Sequence, residues 1–173
     1  MRRLAFAGAA LIHCLALSAC LGGSTNRAVS PAAVAVSPAL VAAAYVAMAG
    51  SIDLYEIEAA ELALQRSQDP ANRAFAQRTL AAHEGTSAQL SMAGRRLNLL
   101  PSATLDPEHQ ALLDALKAAP DFDHTYRAQQ NILHREGVAL HSRYANSGDS
   151  PTLRPVAKNA EDVMRRNQQA MPK

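Results

Sequence analysis

Beyond position 20 this 173-residue sequence contains no cysteine; the only two, Cys14 and Cys20, lie in its first twenty residues. A structural disulfide, a CxxC redox pair and a thiolate metal site are therefore excluded from anything folded downstream. Tryptophan is absent, and three phenylalanines and four tyrosines make up the aromatic complement. That disfavours a β-sandwich, whose strands draw on aromatic and β-branched residues. Long runs of one charge are missing as well. The 17 basic and 15 acidic residues are scattered along the chain and sum to +2, so no clustered basic face is available for nucleic acid. No serine stands in a glycine-framed nucleophile motif. Nothing assembles a nucleophile, a base and an orienting group, and the sequence leans away from an enzyme.

What the chain does have is alanine and leucine, good helix formers. With 49% hydrophobic residues it can bury one sizeable core, and the expectation is a single all-α domain. The N-terminus reads as an export signal over residues 1–19, with Arg2 and Arg3 before an apolar stretch, Leu4 to Leu17, too short to span a bilayer comfortably. The following Leu17-Ser18-Ala19-Cys20 resembles the lipobox of bacterial lipoproteins, in which cleavage leaves the cysteine as a lipidated first residue. That resemblance implies anchoring to a membrane through Cys20, and several acyl chains on one residue make such an anchor stable. Leu21 follows the cysteine where an Asp would favour the inner membrane, which points to an outer-membrane lipoprotein facing the periplasm. The alternative is ordinary cleavage after Ala19 and a soluble periplasmic protein. Residues 20–37, rich in Gly, Ser, Thr, Pro and Ala without periodicity, are expected to form a tether.

The domain is expected over residues 38–170. Four times a side-chain acceptor precedes a proline, at Ser37-Pro38, Asp69-Pro70, Asp106-Pro107 and Ser150-Pro151. This is helix-start punctuation, because the acceptor caps an orphan N–H while proline occupies a first-turn position that needs none. The spacing predicts helices over about 38–67, from Pro70 to near Leu99, over Pro107 to Ala118, from about Asp121 to Asn146, and from the Pro151 region to Ala170, the last starting nearer Thr152 or Leu153 because Pro155 would kink the first turns of a helix begun at Pro151. Expected inward positions are Met48, Ile52, Tyr55, Ala59 and Leu62 on the first, and Ala76, Thr79, His83, Thr86, Leu90, Ala93 and Leu97 on the second. The helix after Asp121 offers Phe122, Tyr126, Leu133, Gly137, Leu140 and Tyr144. The last offers Leu153, Val156, Ala160, Val163, Asn167 and Ala170. Two antiparallel hairpins joined by a crossover carrying a short helix is the connectivity of a ferritin-like four-helix bundle.

Counting residues from the helix ends at 1.5 Å each puts Glu56, His83 and His134 about 20 Å from one end of the bundle and Asn167 at about 15 Å. One polar residue from each long helix thus falls in a common middle layer. Two readings stay open. In one, the layer is structural: buried imidazoles need both nitrogens partnered, and Glu56, Tyr126, Gln130 and Asn167 are the available partners. In the other, Glu56, His83 and His134 hold a transition metal, since two imidazoles and a carboxylate suit such an ion. A carboxylate-bridged di-iron centre is not expected, because no ExxH pair occurs. His141 is expected at the rim, and His109 and His124 in solvated or capping roles.

Several segments resemble a family of bacterial envelope proteins carrying the DUF4142 domain: Asp53-Leu54-Tyr55-Glu56-Ile57-Glu58 with Ala63, Phe75-Ala76-Gln77-Arg78 leading to His83, Leu105-Asp106-Pro107-Glu108-His109-Gln110, and Phe122-Asp123 with Tyr126, Gln130 and His134. The resemblance spans about Val41 to Ala170 and implies a ferritin-like four-helix fold. The chain departs from that pattern at Ala82, where the family usually has an Asp, and at Asn167, where it often has a histidine; both departures remove a potential ligand. The expected function is an envelope lipoprotein with a non-catalytic binding or structural bundle, needing no cofactor and with a protein or small ligand as partner. The alternative is a metal-binding or redox bundle.

Overall fold

The computed structural model describes residues 40–172. The expected signal, Cys20, the tether and the Ser37-Pro38 start lie outside the described residues. Five helices follow one another: α1 (Ala42–Arg66), α2 (Pro70–Arg95), α3 (Pro107–Ala118), α4 (Phe122–Ser147) and α5 (Arg154–Gln169). The fold is all-α, two long hairpins with α3 in the connection between them. α1 packs on α2 and α4 on α5; across the bundle α1 also meets α4 and α2 meets α5, so α2 and α4 face each other along a diagonal.

The punctuation marks two starts and misplaces two, and Asp121 caps a further helix without a proline. Asp69, Asp106 and Asp121 are N-caps whose carboxylates accept from Ala71, His109 and His124 N–H respectively. α1 begins at Ala42 behind Val41, which makes no side-chain cap bond, and not at Pro38. α5 begins at Arg154 and not near Pro151. The reason is Pro155, which has no N–H to donate to a carbonyl four residues back; it therefore has to sit in the first turn of the helix, and residues 151–153 form a turn instead. The seam of α5 also differs from the expected one: Ala157 and Met164 are buried, while Val156 and Val163 are only half-buried. On α1, Met48 points outward at 46% exposure, its expected place being taken by Tyr45 and Ala49. The expected inward faces of α2 and α4 are buried apart from half-buried Leu97.

The crossover is held by specific contacts. The Arg66 guanidinium donates to the Lys117 carbonyl at 2.6 Å and, at 3.4 Å each, to the Leu116 and Ala119 carbonyls. These carbonyls lie at the C-terminal end of α3, where helical donors run out, Leu116 also accepting the Ala119 N–H, and the same guanidinium sits 4.6 Å over the Phe122 ring. At the end of α2 the chain reverses through Asn98, the one non-glycine residue with positive φ (56°) among those described. Asn tolerates that conformation. The reversal brings the Leu99 N–H onto the Gly94 carbonyl at 2.9 Å, so closely that a Cβ at 94 would strike the Leu99 backbone oxygen.

The core is divided. One apolar cluster joins Tyr45, Val46, Ile52, Leu90, Leu140, Tyr144, Leu153 and Met164. The other joins Tyr55, Ala59, Ala63, Phe75, Leu113, Leu116, Phe122 and Leu133. Each fully buried large aliphatic or aromatic side chain contributes about 1.5–3 kcal/mol. Between the two clusters, on every helix that spans both, the sequence turns polar.

Candidate metal centre

The polar layer is built from buried groups. Glu56 and His134 are 0% exposed, His83 1%, Asp53 3% and His141 1%. His83 on α2 and His134 on α4 meet across the diagonal with ring centroids 6.1 Å apart, edge to face. Glu56 on α1 completes the group: one ligand atom from each of Glu56, His83 and His134 lies within 4.8 Å of the others.

Their hydrogen bonds fix which atoms are available. His134 Nδ1 donates to the Gln130 carbonyl at 3.0 Å; a carbonyl can only accept, so Nδ1 carries the hydrogen and Nε2 a lone pair. His83 Nδ1 lies 2.8 Å from Asp53 Oδ1, which also accepts from the Thr86 hydroxyl at 2.7 Å. Asp53 thereby orients the His83 ring, the arrangement by which carboxylates set metal-ligating imidazoles. Both Nε2 atoms and both Glu56 oxygens are buried without a hydrogen-bond partner. Glu56 Oε1 comes within 3.4 Å of His134 Nδ1, an electrostatic contact only, since that hydrogen is given to Gln130.

This differs from the expected hydrogen-bonded layer. The side chains assigned as partners to the imidazoles are themselves unpartnered: Tyr126 Oη, both Gln130 amide atoms and Asn167 Nδ2. The imidazoles are held by Asp53 and by a main-chain carbonyl. Asp53 went unassigned in the sequence reading, although its place three residues before Glu56, on the same face of α1, was the available signal.

Electrostatics set the two rings apart. Burial opposes protonation of His83, but the Asp53 hydrogen bond and the charges of Glu56 and Asp53 outweigh it and raise its pKa above the ordinary imidazole value. His134 moves the opposite way, lowered by burial and by the neighbouring His83 charge against the pull of Glu56. Burial likewise lowers His141, to about 4. His141 is not at the rim as expected; it packs inside, with Nδ1 3.1 Å from the Tyr45 hydroxyl.

The donor set fits a transition-metal ion. Two neutral imidazole nitrogens and a carboxylate from three helices leave open coordination positions. Ligand atoms about 2.1 Å from a metal stand about 3.5 Å from one another, so side chains separated by up to 4.8 Å need only small rotations to close. An isolated buried carboxylate costs several kcal/mol, and a cation is the partner that Glu56 lacks.

A second cluster has the residue types of a serine hydrolase and not its geometry. Ser51 Oγ and Asp106 Oδ2 both approach the same nitrogen, His109 Nδ1, at 2.8 Å. A catalytic base needs its two partners on opposite nitrogens. Ser51 also accepts the Asp106 N–H at 2.9 Å, so the cluster clamps the start of α3 to α1. His109 is buried in this clamp, while His124 is exposed at the start of α4, its N–H capped by Asp121.

Solved structures with the same fold include CopM in its Cu(II)-bound form, with TM-score 0.63 and 18% identity over 76% of this chain and 93% of that one. CopM in its Ag-bound form gives 0.60, 18%, 75% and 91%. A DUF305 fragment from Deinococcus radiodurans gives 0.62, 17%, 72% and 88%. No curated protein sequence matches. Residues 27–172 match the family described as "Domain of unknown function (DUF4142)", and the chain belongs to that family.

Proposed function

We propose that this bundle binds a copper ion through Glu56, His83 and His134, with His83 steered by Asp53. The observation that carries the reading is that one ligand atom from each of Glu56, His83 and His134, on three different helices, lies within 4.8 Å of the others, while Glu56 Oε1 and Oε2, His83 Nε2 and His134 Nε2 are all buried without a hydrogen-bond partner. Among divalent first-row metals such a set favours Cu(II), and a bundle of the same fold, CopM, has been solved with Cu(II) and with Ag bound. Bound copper would supply a Lewis-acidic, redox-capable centre. This chain's residues hold and enclose it: Asp53 and the Gln130 carbonyl engage both Nδ1 atoms and leave both Nε2 atoms uncommitted, and the flanking apolar clusters exclude solvent. No helix among the described residues is long and apolar enough to cross a membrane. We assign membrane attachment to lipid on Cys20, which would hold the bundle on the periplasmic side of the outer membrane.

The test is metal analysis of the tag-free chain with Cys14 and Cys20 changed to serine, so that no thiol competes for copper. The reading predicts one copper per chain, lost in Glu56→Gln and in His134→Gln while circular dichroism stays helical. No stoichiometric copper, or equal copper in both variants, refutes it.

A further inference from the structure

The polar layer leaves further side chains unpartnered besides the triad, Thr79 on α2 and Asn167 on α5 among them, and two lie on α4: the Tyr126 hydroxyl and both amide atoms of Gln130. Tyr126, Gln130 and His134 follow one another every fourth residue, about 6 Å apart along one helical face. Tyr126 is fully buried and Gln130 is 1% exposed. Each orphaned polar group costs about 1–3 kcal/mol, yet here they form a continuous stripe that ends at a proposed ligand. The stripe is also within electrical reach of the site, since burial and then the Glu56 carboxylate raise the Tyr126 pKa.

The other end of the stripe opens outward. Tyr126 and Gln130 line a narrow cleft of about 10 Å³ together with Phe75, Arg127, Met171 and Pro172. Half-buried Met171 leans on the nearer apolar cluster, and a methionine side chain is flexible enough to move aside. Arg127 is the only charged lining residue, and it is engaged by Asp69 at 3.3 Å. Towards the far end of the bundle, beyond the layer, Tyr45 and Tyr144 stack at 4.0 Å within the other cluster, which carries no comparable polar stripe.

We infer that this cleft is the access route by which the ion reaches Glu56, His83 and His134, with Gln130 as a polar gate and Met171 as its plug. The inference rests on the metal-site reading above. An ion entering the bundle has to exchange water for protein oxygen before it reaches the imidazoles. The Tyr126 hydroxyl and the Gln130 side-chain carbonyl supply that oxygen at the cleft floor, one helical turn from His134. Because the Gln130 amide is committed to no other group, it can swing between cleft and site without breaking a hydrogen bond. Neither residue is asked to be a ligand in the final complex, so both act on rates and not on affinity.

The test is stopped-flow binding and release of Cu(II) by the full chain carrying Cys14→Ser and Cys20→Ser, compared with the same chain bearing Gln130→Leu or Met171→Ala. Gln130→Leu should slow association and release together by roughly tenfold, the factor set by about 1.4 kcal/mol of barrier, with Kd unchanged. Met171→Ala, which trims a half-buried side chain at the edge of the apolar cluster, should quicken both while circular dichroism stays helical. Unaltered rates in both variants, with one copper still bound per chain, overturn the route and leave the site standing. A changed Kd, with association and release altered unequally, overturns it equally. Failure of the parent chain to bind copper stoichiometrically overturns the site and the route together.

Discussion

Acid should unfold the metal-free protein through His141, and the size of the effect follows from where that ring sits. It is 1% exposed and faces the Tyr45 hydroxyl, with the charges of Asp53, His83 and Glu161 acting on it; burial dominates and lowers its pKa to about 4. A histidine depressed in the folded state takes its proton first in the unfolded chain. Its contribution is therefore whole above the unfolded value of about 6.5 and is lost as pH falls towards the folded value. At about 1.4 kcal/mol per pH unit, that removes about 2 kcal/mol between pH 7 and pH 5 and about 3 kcal/mol by pH 4. His134 is also depressed and adds a loss of the same sign. His83 is raised, so the stability it adds is complete below about pH 6.5 and fades only as pH rises through its folded value. The window from pH 6.5 to pH 4 thus isolates the depressed rings. Urea unfolding midpoints with a chelator present, parent against His141→Gln, measure the slope directly. The variant should start less stable but lose about 2 kcal/mol less between pH 7 and pH 5. Parallel profiles would refute the burial argument for His141.

Five further outcomes are expected. Asp53→Asn should keep one copper per chain but weaken binding by roughly 10–100-fold in calorimetry, because it loosens a ligand and removes none. Copper at about 100 times its Kd should stabilise the fold by about 2.7 kcal/mol, read as a rise in Tm that Glu56→Gln abolishes. Gly94→Ala should cost about 1–3 kcal/mol in a thermal melt, since its Cβ meets the Leu99 backbone. Gly137→Ala should cost less, because it meets only the end of the flexible Met164 side chain and gains helix propensity. Cys20→Ala should end lipid labelling of the chain and its sedimentation with membranes; labelling that persists would refute the anchor.

Much of this architecture was legible because it rests on local rules. Asp-Pro pairs at 69–70 and 106–107 combine a side-chain acceptor with a residue that needs no N–H, and both open helices where expected. Counting 1.5 Å per residue brought Glu56, His83 and His134 to one height, and their ligand atoms indeed lie together. Ser150-Pro151 has the same local chemistry and fails, because Pro155 four residues on forbids the hydrogen bond that such a start requires. The slip of the α5 seam from Val156 and Val163 to Ala157 and Met164 comes from packing. Gly137 on α4 leaves the space into which the Met164 thioether fits, and that depends on two helices at once. His141 looked like a rim residue on the pattern of α4 alone; its burial is decided by Tyr45 on α1. The Asp53–His83 pair was hidden for the same reason, since its two members are thirty residues apart and join only when the first hairpin closes.

Copper-edge X-ray absorption on the thiol-free, copper-loaded chain tests the central claim most directly. The account predicts a first coordination shell of two imidazoles with the remaining donors oxygen. A shell containing sulfur, or one with fewer than two imidazoles, would contradict it.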